Sequence, residues 1–145
     1  MLDDFLIHVF HKGNTLEAYK VFGAHLETND HKKGVRFTVY APNARSVQVV
    51  GDFNDWDGQN HYMERYTDGG IWTLFIPGVK EFALYKYRIE TQNFATVDRA
   101  DPYAFYSELR PGTASRVYNI ERFRWADKKW LNSRTKNFDK PMNIY

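Results

Sequence analysis

The chain has 145 residues, with 20 Lys and Arg against 18 Asp and Glu and no cysteine. That length suits one domain with its own core. The near balance of charge, without a basic stripe or a basic amphipathic helix, argues against nucleic acid and membrane surfaces as partners. The missing thiols exclude disulfides and thiolate zinc and fit a reducing cytoplasm, while 17% aromatic residues are enough to fill a core and leave Tyr and Trp over for recognition.

At the amino terminus Leu2, Phe5, Leu6, Val9 and Phe10 recur at helical spacing. Asp3 and Asp4 sit at the positive end of the dipole and Gly13 follows as a stop, which predicts a short amphipathic helix over residues 3–11. The opening MLDDFLIHVFHKG is too short and too charged for a signal peptide or a spanning helix. Short β runs come next. GVRFTVYAP (34–42) alternates, with Val35, Phe37 and Val39 on one side and Arg36, Thr38 and Tyr40 on the other. Pro42-Asn43-Ala44 turns the chain into RSVQVVGD (45–52), and Asp68-Gly69-Gly70 precedes IWTLFIP (71–77), whose Trp72 reads as core. LYKYRIET (84–91), FATVD (94–98) and RVYNI (116–120) complete the set. Short strands separated by Gly, Pro, Asn and Asp clusters predict an all-β fold, an antiparallel β-sandwich of immunoglobulin-like size. After Ile120, Trp125 and Trp130 stand among charges as a linker or docking arm. KPMNIY (140–145) begins like a buried strand, which leads us to expect a further domain beyond it. The expected organisation is therefore a helix and lead-in over 1–18, a sandwich over 19–120, and a linker with an opening strand over 121–145.

VGDFNDWDG (50–58) concentrates three aspartates, an asparagine, a Phe and a Trp in one turn. A calcium loop counted from Asp52 fails, because positions 5, 6 and 12 hold Trp56, Asp57 and Met63 where an oxygen ligand, Gly and Glu are needed. Zinc is not expected either, since His8 and His11 form a lone i, i+3 pair and His25, His31 and His61 are scattered. No Gly-x-Ser-x-Gly motif or phosphate-cradling glycine loop appears, and a sandwich of this size offers mostly flat faces. No cofactor, metal or catalytic residue is therefore expected.

The aromatics suggest another chemistry. A pyranose ring has an apolar C–H face that a flat exposed aromatic can cover while Lys, Asn or Gln neighbours satisfy its hydroxyls. Trp56 and the segment LYKYRIETQNF (84–94) hold these ingredients. From spacing alone Trp56 is equally a plug at the end of the sandwich with its indole N–H bonded to a carbonyl. Lys86 is equally a solvated lysine on the outer face of its strand, and Asn93 and Phe94 are equally turn residues.

YKVFGAHLE (19–27), GVRFTVYAPNARSVQVVGDFNDWDG (34–58), GIWTLFIPGV (70–79), YKYRIE (85–90), ADPYAF (100–105) and KPMNIY (140–145) occur in this order. Together they resemble the amino-terminal region of bacterial 1,4-α-glucan branching enzymes of glycoside hydrolase family 13, whose core is a carbohydrate-binding module of family 48. The resemblance implies an early-set immunoglobulin-like sandwich placed before a (β/α)₈ catalytic barrel. It implies a parent enzyme that moves α-1,4-glucan segments to a 6-hydroxyl, with catalytic residues beyond this chain. It also implies that Trp56 and Lys86 hold α-glucan, with Phe94 standing where such modules commonly have Trp and Asn93 beside it. Asp101, Pro102 and Tyr103 would face the catalytic domain, joined by Trp125 and Trp130 of the arm. The expected function is a non-catalytic, cytoplasmic α-glucan-associating module whose partners are glycogen or amylose-like chains and the barrel. The alternative is a purely structural domain without glucan affinity of its own.

Overall fold

The computed structural model describes residues 3–67 and 69–134. Helix α1 (Asp4–His11) starts where Asp3 Oδ1 accepts from the amides of Phe5 and Leu6. It stops at Gly13, which takes φ of 72°. Among the described residues nine strands follow: β1 (Gly23–Asn29), β2 (Lys32–Tyr40), β3 (Ser46–Gly51), β4 (Glu64–Thr67), β5 (Ile71–Pro77), β6 (Leu84–Glu90), β7 (Thr96–Arg99), β8 (Tyr106–Ser107) and β9 (Ser115–Arg116). A short helix α2 (Lys128–Ser133) lies in the expected linker.

The strands form two antiparallel sheets. One runs in the order β1-β2-β5-β4, the other β3-β6-β9-β8 with β7 paired to β6. Inward residues of both meet in one core of Val35, Phe37, Val39, Val47, Val49, Trp72, Tyr85 and Tyr87. This is the immunoglobulin-like sandwich that the alternating runs predict. The run 71–77 forms β5 over its whole length, whereas 94–98 shifts to Thr96–Arg99 and 116–120 contracts to Ser115–Arg116. β1, β4 and β8 are strands that the pattern does not announce: GAHLETN and ERYT are mostly polar, and YS is only two residues long. KPMNIY lies outside the described residues, as do Met1 and Leu2.

The amino-terminal helix packs on the module. Ile71 and Trp72 are adjacent in β5, and alternation sends Trp72 into the core and Ile71 to the opposite face. There Ile71 joins Ile7, Val21 and Phe22 in a second apolar cluster. Phe10 meets Phe22 and Tyr40 at ring-centroid distances of 4.5 and 5.2 Å, and the Tyr66 hydroxyl donates to Asp4.

Candidate glucan-binding face

The turn after β3 is built from the polar residues of the 50–58 segment. Asp52 Oδ2 accepts the amide of Leu84 at 3.1 Å. Asn54 Oδ1 accepts the amide of Gly51 at 2.8 Å, while its Nδ2 donates to the Val49 carbonyl at 3.0 Å and lies 3.1 Å from His61 Nδ1. Asp57 Oδ1 accepts from the Gln59 amide. These acids and amides satisfy backbone groups, which is the usual work of Asn and Asp in turns. Among the described residues no three His, Asp or Glu side chains converge on a metal position.

The turn sets Asp55 and Trp56 at φ of 51° and 60°, both in the left-handed region that bulky residues rarely enter. The Trp56 amide donates to the Gly51 carbonyl at 2.9 Å, and the Trp56 carbonyl accepts from Arg88 Nη1 at 3.2 Å. Arg88 stands on the outer face of β6, so the loop is pulled back over that face. Val50 is buried on this same face. Its register partner is Lys86, it points away from the core, and yet it is 0% exposed. Trp56 itself is 37% exposed, and its indole N–H has no partner among the described residues. Trp72, by contrast, lies in the core, where its Nε1 donates to the Ala41 carbonyl at 2.9 Å.

The other expected contacts lie on or beside the same face. Lys86 is half-buried beside the loop, and its Nζ donates to Thr113 Oγ1 at 2.7 Å. Phe94, 67% exposed and at φ of 63°, has the Arg45 guanidinium 3.8 Å from its ring centroid. Asn93 Oδ1 accepts from the Thr91 hydroxyl, so this amide shapes the turn that carries Phe94. Trp56 is tied to the end of β3 and Phe94 to Arg45 just before its start. Their backbone anchors are thus one strand apart, roughly 20 Å for six residues.

A groove of about 260 Å³ lies between these anchors, lined by Ser46, Gln48, Tyr62, Arg88, Glu90 and Thr96. Tyr62, Arg45 and Arg88 are absent from the sequence-based set. The available signal is the His61-Tyr62-Met63 alternation, in which Met63 enters the core and Tyr62 turns out beside Gln48.

The expected domain-facing residues divide. Asp101 is only 6% exposed; its Oδ2 accepts from the hydroxyls of Tyr85 at 2.7 Å and Tyr87 at 3.1 Å. Its Oδ1 accepts the Tyr103 amide and its own amide donates to Ser115 Oγ, both at 2.8 Å. Burial raises the Asp101 carboxyl above the usual range, against the opposing hydrogen bonds and the nearby His25. Tyr103 stacks on Phe22 at 5.2 Å. Asp101 and Tyr103 therefore work inside this fold, because the hydroxyls of Tyr85 and Tyr87 need a buried acceptor. Pro102 is exposed. Trp125 and Trp130 are also exposed, the first against Phe123 at 4.9 Å and the second beneath Arg134 at 5.6 Å.

Residues 21–104 match the family described as carbohydrate-binding module 48 (isoamylase N-terminal domain). The chain is 47% identical over 138 residues to a 1,4-alpha-glucan branching enzyme GlgB of Bacillus cereus (strain AH820), covering 94% of this chain and 21% of that protein. A similarly named protein of Bacillus anthracis shows the same figures, so the chain spans about a fifth of the length of the curated relatives it matches. Among solved structures, a pullulanase complexed with maltotetraose from Anoxybacillus sp. LM18-11 has TM-score 0.59 and 25% identity, covering 72% of this chain and 14% of that one. A maltotriose complex of PulA from Klebsiella pneumoniae has TM-score 0.56 and 27% identity, covering 72% and 12%.

Proposed function

The chain belongs to the carbohydrate-binding module 48 family, and on that footing we propose that it is the non-catalytic, α-glucan-associating part of a glycogen branching enzyme. The observation that carries this is Trp56. It is an aromatic held partly open on a loop that its own backbone and Arg88 fix over the outer sheet face, next to Lys86. In this proposal Trp56 covers the C–H face of a glucose unit and Lys86 donates to a hydroxyl. Phe94, buttressed on one face by Arg45, offers a second, smaller platform on its other side. Asn93 holds that platform in place.

A shallow site of this kind binds weakly, on the order of millimolar or about 4 kcal/mol. Weakness suffices where the ligand is a polymer with repeated epitopes and the module is tethered to an enzyme. The parent would carry its transferase chemistry on a catalytic barrel and work in the cytoplasm. Among the described residues no helix is long and apolar enough to cross a membrane. Glycogen-affinity gel electrophoresis tests the site: the wild-type chain is retarded, and Trp56→Ala is retarded less while keeping its circular dichroism spectrum. Equal retardation of two folded proteins removes Trp56 from the site.

The exposed rings of Phe123, Trp125 and Trp130 favour a second role alongside the first. Phe123 and Trp125 touch each other and Trp130 is exposed further along the arm, all suited to burial against the barrel that would follow.

A further inference from the structure

We propose that the outer sheet face carries a second glucan strip that crosses the strands between the Trp56 and Phe94 ends of β3, with Tyr62 as its aromatic contact. This rests on the glucan-association proposal above and assigns the path of the strip. The ladder registers carry it. Asp98 pairs with Arg88, Arg88 with Gln48, and Gln48 with Tyr62. Directly paired residues point to the same side, and here the side is outward, because the intervening Tyr87, Val49 and Met63 are in the core. The four side chains form a straight row across four segments, about 14 Å long at the usual strand spacing. Thr96, Glu90 and Ser46 make a second row beside it. The groove lies over both rows.

The chemistry of the groove selects the ligand class. Its ions are already matched. Arg88 donates to both carboxylate oxygens of Asp98 at 2.8 and 3.0 Å, and Glu90 accepts from Ser46 at 3.0 Å and lies 3.8 Å from Arg45. A phosphate or an ammonium would have to displace one of these partners. A neutral polyol can use their remaining lone pairs and N–H groups without breaking a pair. Tyr62 adds a ring that is 53% exposed, with a hydroxyl unpartnered among the described residues. Arg88 also holds the Trp56 carbonyl, so one guanidinium fixes both the floor of the groove and the loop at its rim. Polar floor, aromatic wall and matched charge describe a binding strip for a neutral sugar chain, running from Tyr62 across to β7.

The test is a ¹H–¹⁵N NMR titration of the 145-residue chain with maltoheptaose, repeated on Tyr62→Ala and Tyr62→Phe. Shifts at Tyr62, Gln48, Arg88 and Thr96 in wild type support the path, as does a severalfold weakening in Tyr62→Ala that Tyr62→Phe restores. Saturable shifts confined to Trp56, Lys86 and Phe94, with Tyr62 and Gln48 unmoved, overturn the path and leave the glucan-association proposal standing. No saturable shift anywhere in wild type overturns both. The wild-type map alone decides the path if Tyr62→Ala fails to fold.

Discussion

The Tyr85 hydroxyl donates to Asp101 Oδ2 at 2.7 Å, joining β6 to a residue 16 positions further on, just after β7. Tyr87 donates to the same oxygen. One carboxylate thus serves two buried phenols and a backbone amide. Removing it should be far costlier than removing one donor, since each donor left unsatisfied in the interior costs about 1–3 kcal/mol. Asp101→Ala should lower the urea-unfolding free energy by at least about 2 kcal/mol, and Tyr85→Phe by about 1 kcal/mol. Similar midpoints for the two variants contradict that ranking.

The same carboxylate gives a pH signature. Burial raises its pKa in the folded state, so between the unfolded value, near 4, and the raised one the native protein binds more protons than the unfolded chain. Unfolding free energy from this group therefore falls as pH rises through that window. Subtracting the Asp101→Ala profile from the wild-type profile, both by urea denaturation, should leave a curve that declines upward from about pH 4. A flat or rising difference contradicts the assigned direction.

Gly51 is required by space. Its φ of −174° suits any residue, but a Cβ there would stand 2.2 Å from the Leu84 carbonyl oxygen and 2.5 Å from the Phe53 ring. Gly51→Ala should cost about 1–3 kcal/mol and disturb the turn that carries Trp56. Glycogen retention should drop together with stability. Wild-type retention in this variant would separate the loop from the site.

Phe94 offers a graded test of the second platform. Phe94→Trp widens the ring above Arg45 and should increase glycogen retention, whereas Phe94→Ala should reduce it, both with little effect on the unfolding midpoint because the side chain is mostly exposed. Identical retention across Ala, Phe and Trp excludes a platform at this position.

The arm makes a separable prediction. Trp125→Ser with Trp130→Ser should leave glycogen retention unchanged. The same pair should reduce concentration-dependent self-association in sedimentation velocity, because exposed aromatic rings associate when nothing covers them. Loss of retention in that variant would move part of the sugar contact onto the arm.

Strand existence was readable wherever alternation was strong. Val35, Phe37 and Val39 mark β2, and Val47 and Val49 mark β3. β1 escapes because only Ala24 and Leu26 alternate within it and the face of His25 and Glu27 is polar; β4 escapes because it is four residues long and two of them are charged. At the candidate site Trp56 was conspicuous by its chemistry, but its backbone conformation and its tether to Arg88, 32 residues away, belong to tertiary structure. Tyr62 carries only the three-residue alternation of His61, Tyr62 and Met63 as a signal, for a related reason. A single bridge to Gln48 decides which way it points, and an isolated bridge leaves an alternation too short to mark a strand. The resemblance points Asp101 toward a neighbouring domain, and its partners inside this fold are hidden from the sequence because they lie 14 and 16 positions back.

Arg88 connects three strangers: an acid from the next strand, a carbonyl from a distant turn, and the row that ends at Tyr62. Mutational effects at Trp56 and Tyr62 should consequently be epistatic, because both depend on one keystone. Swapping Arg88 for Lys would keep the charge and still dismantle the arch, since an ammonium cannot reproduce the planar, forked grip on acid and carbonyl together.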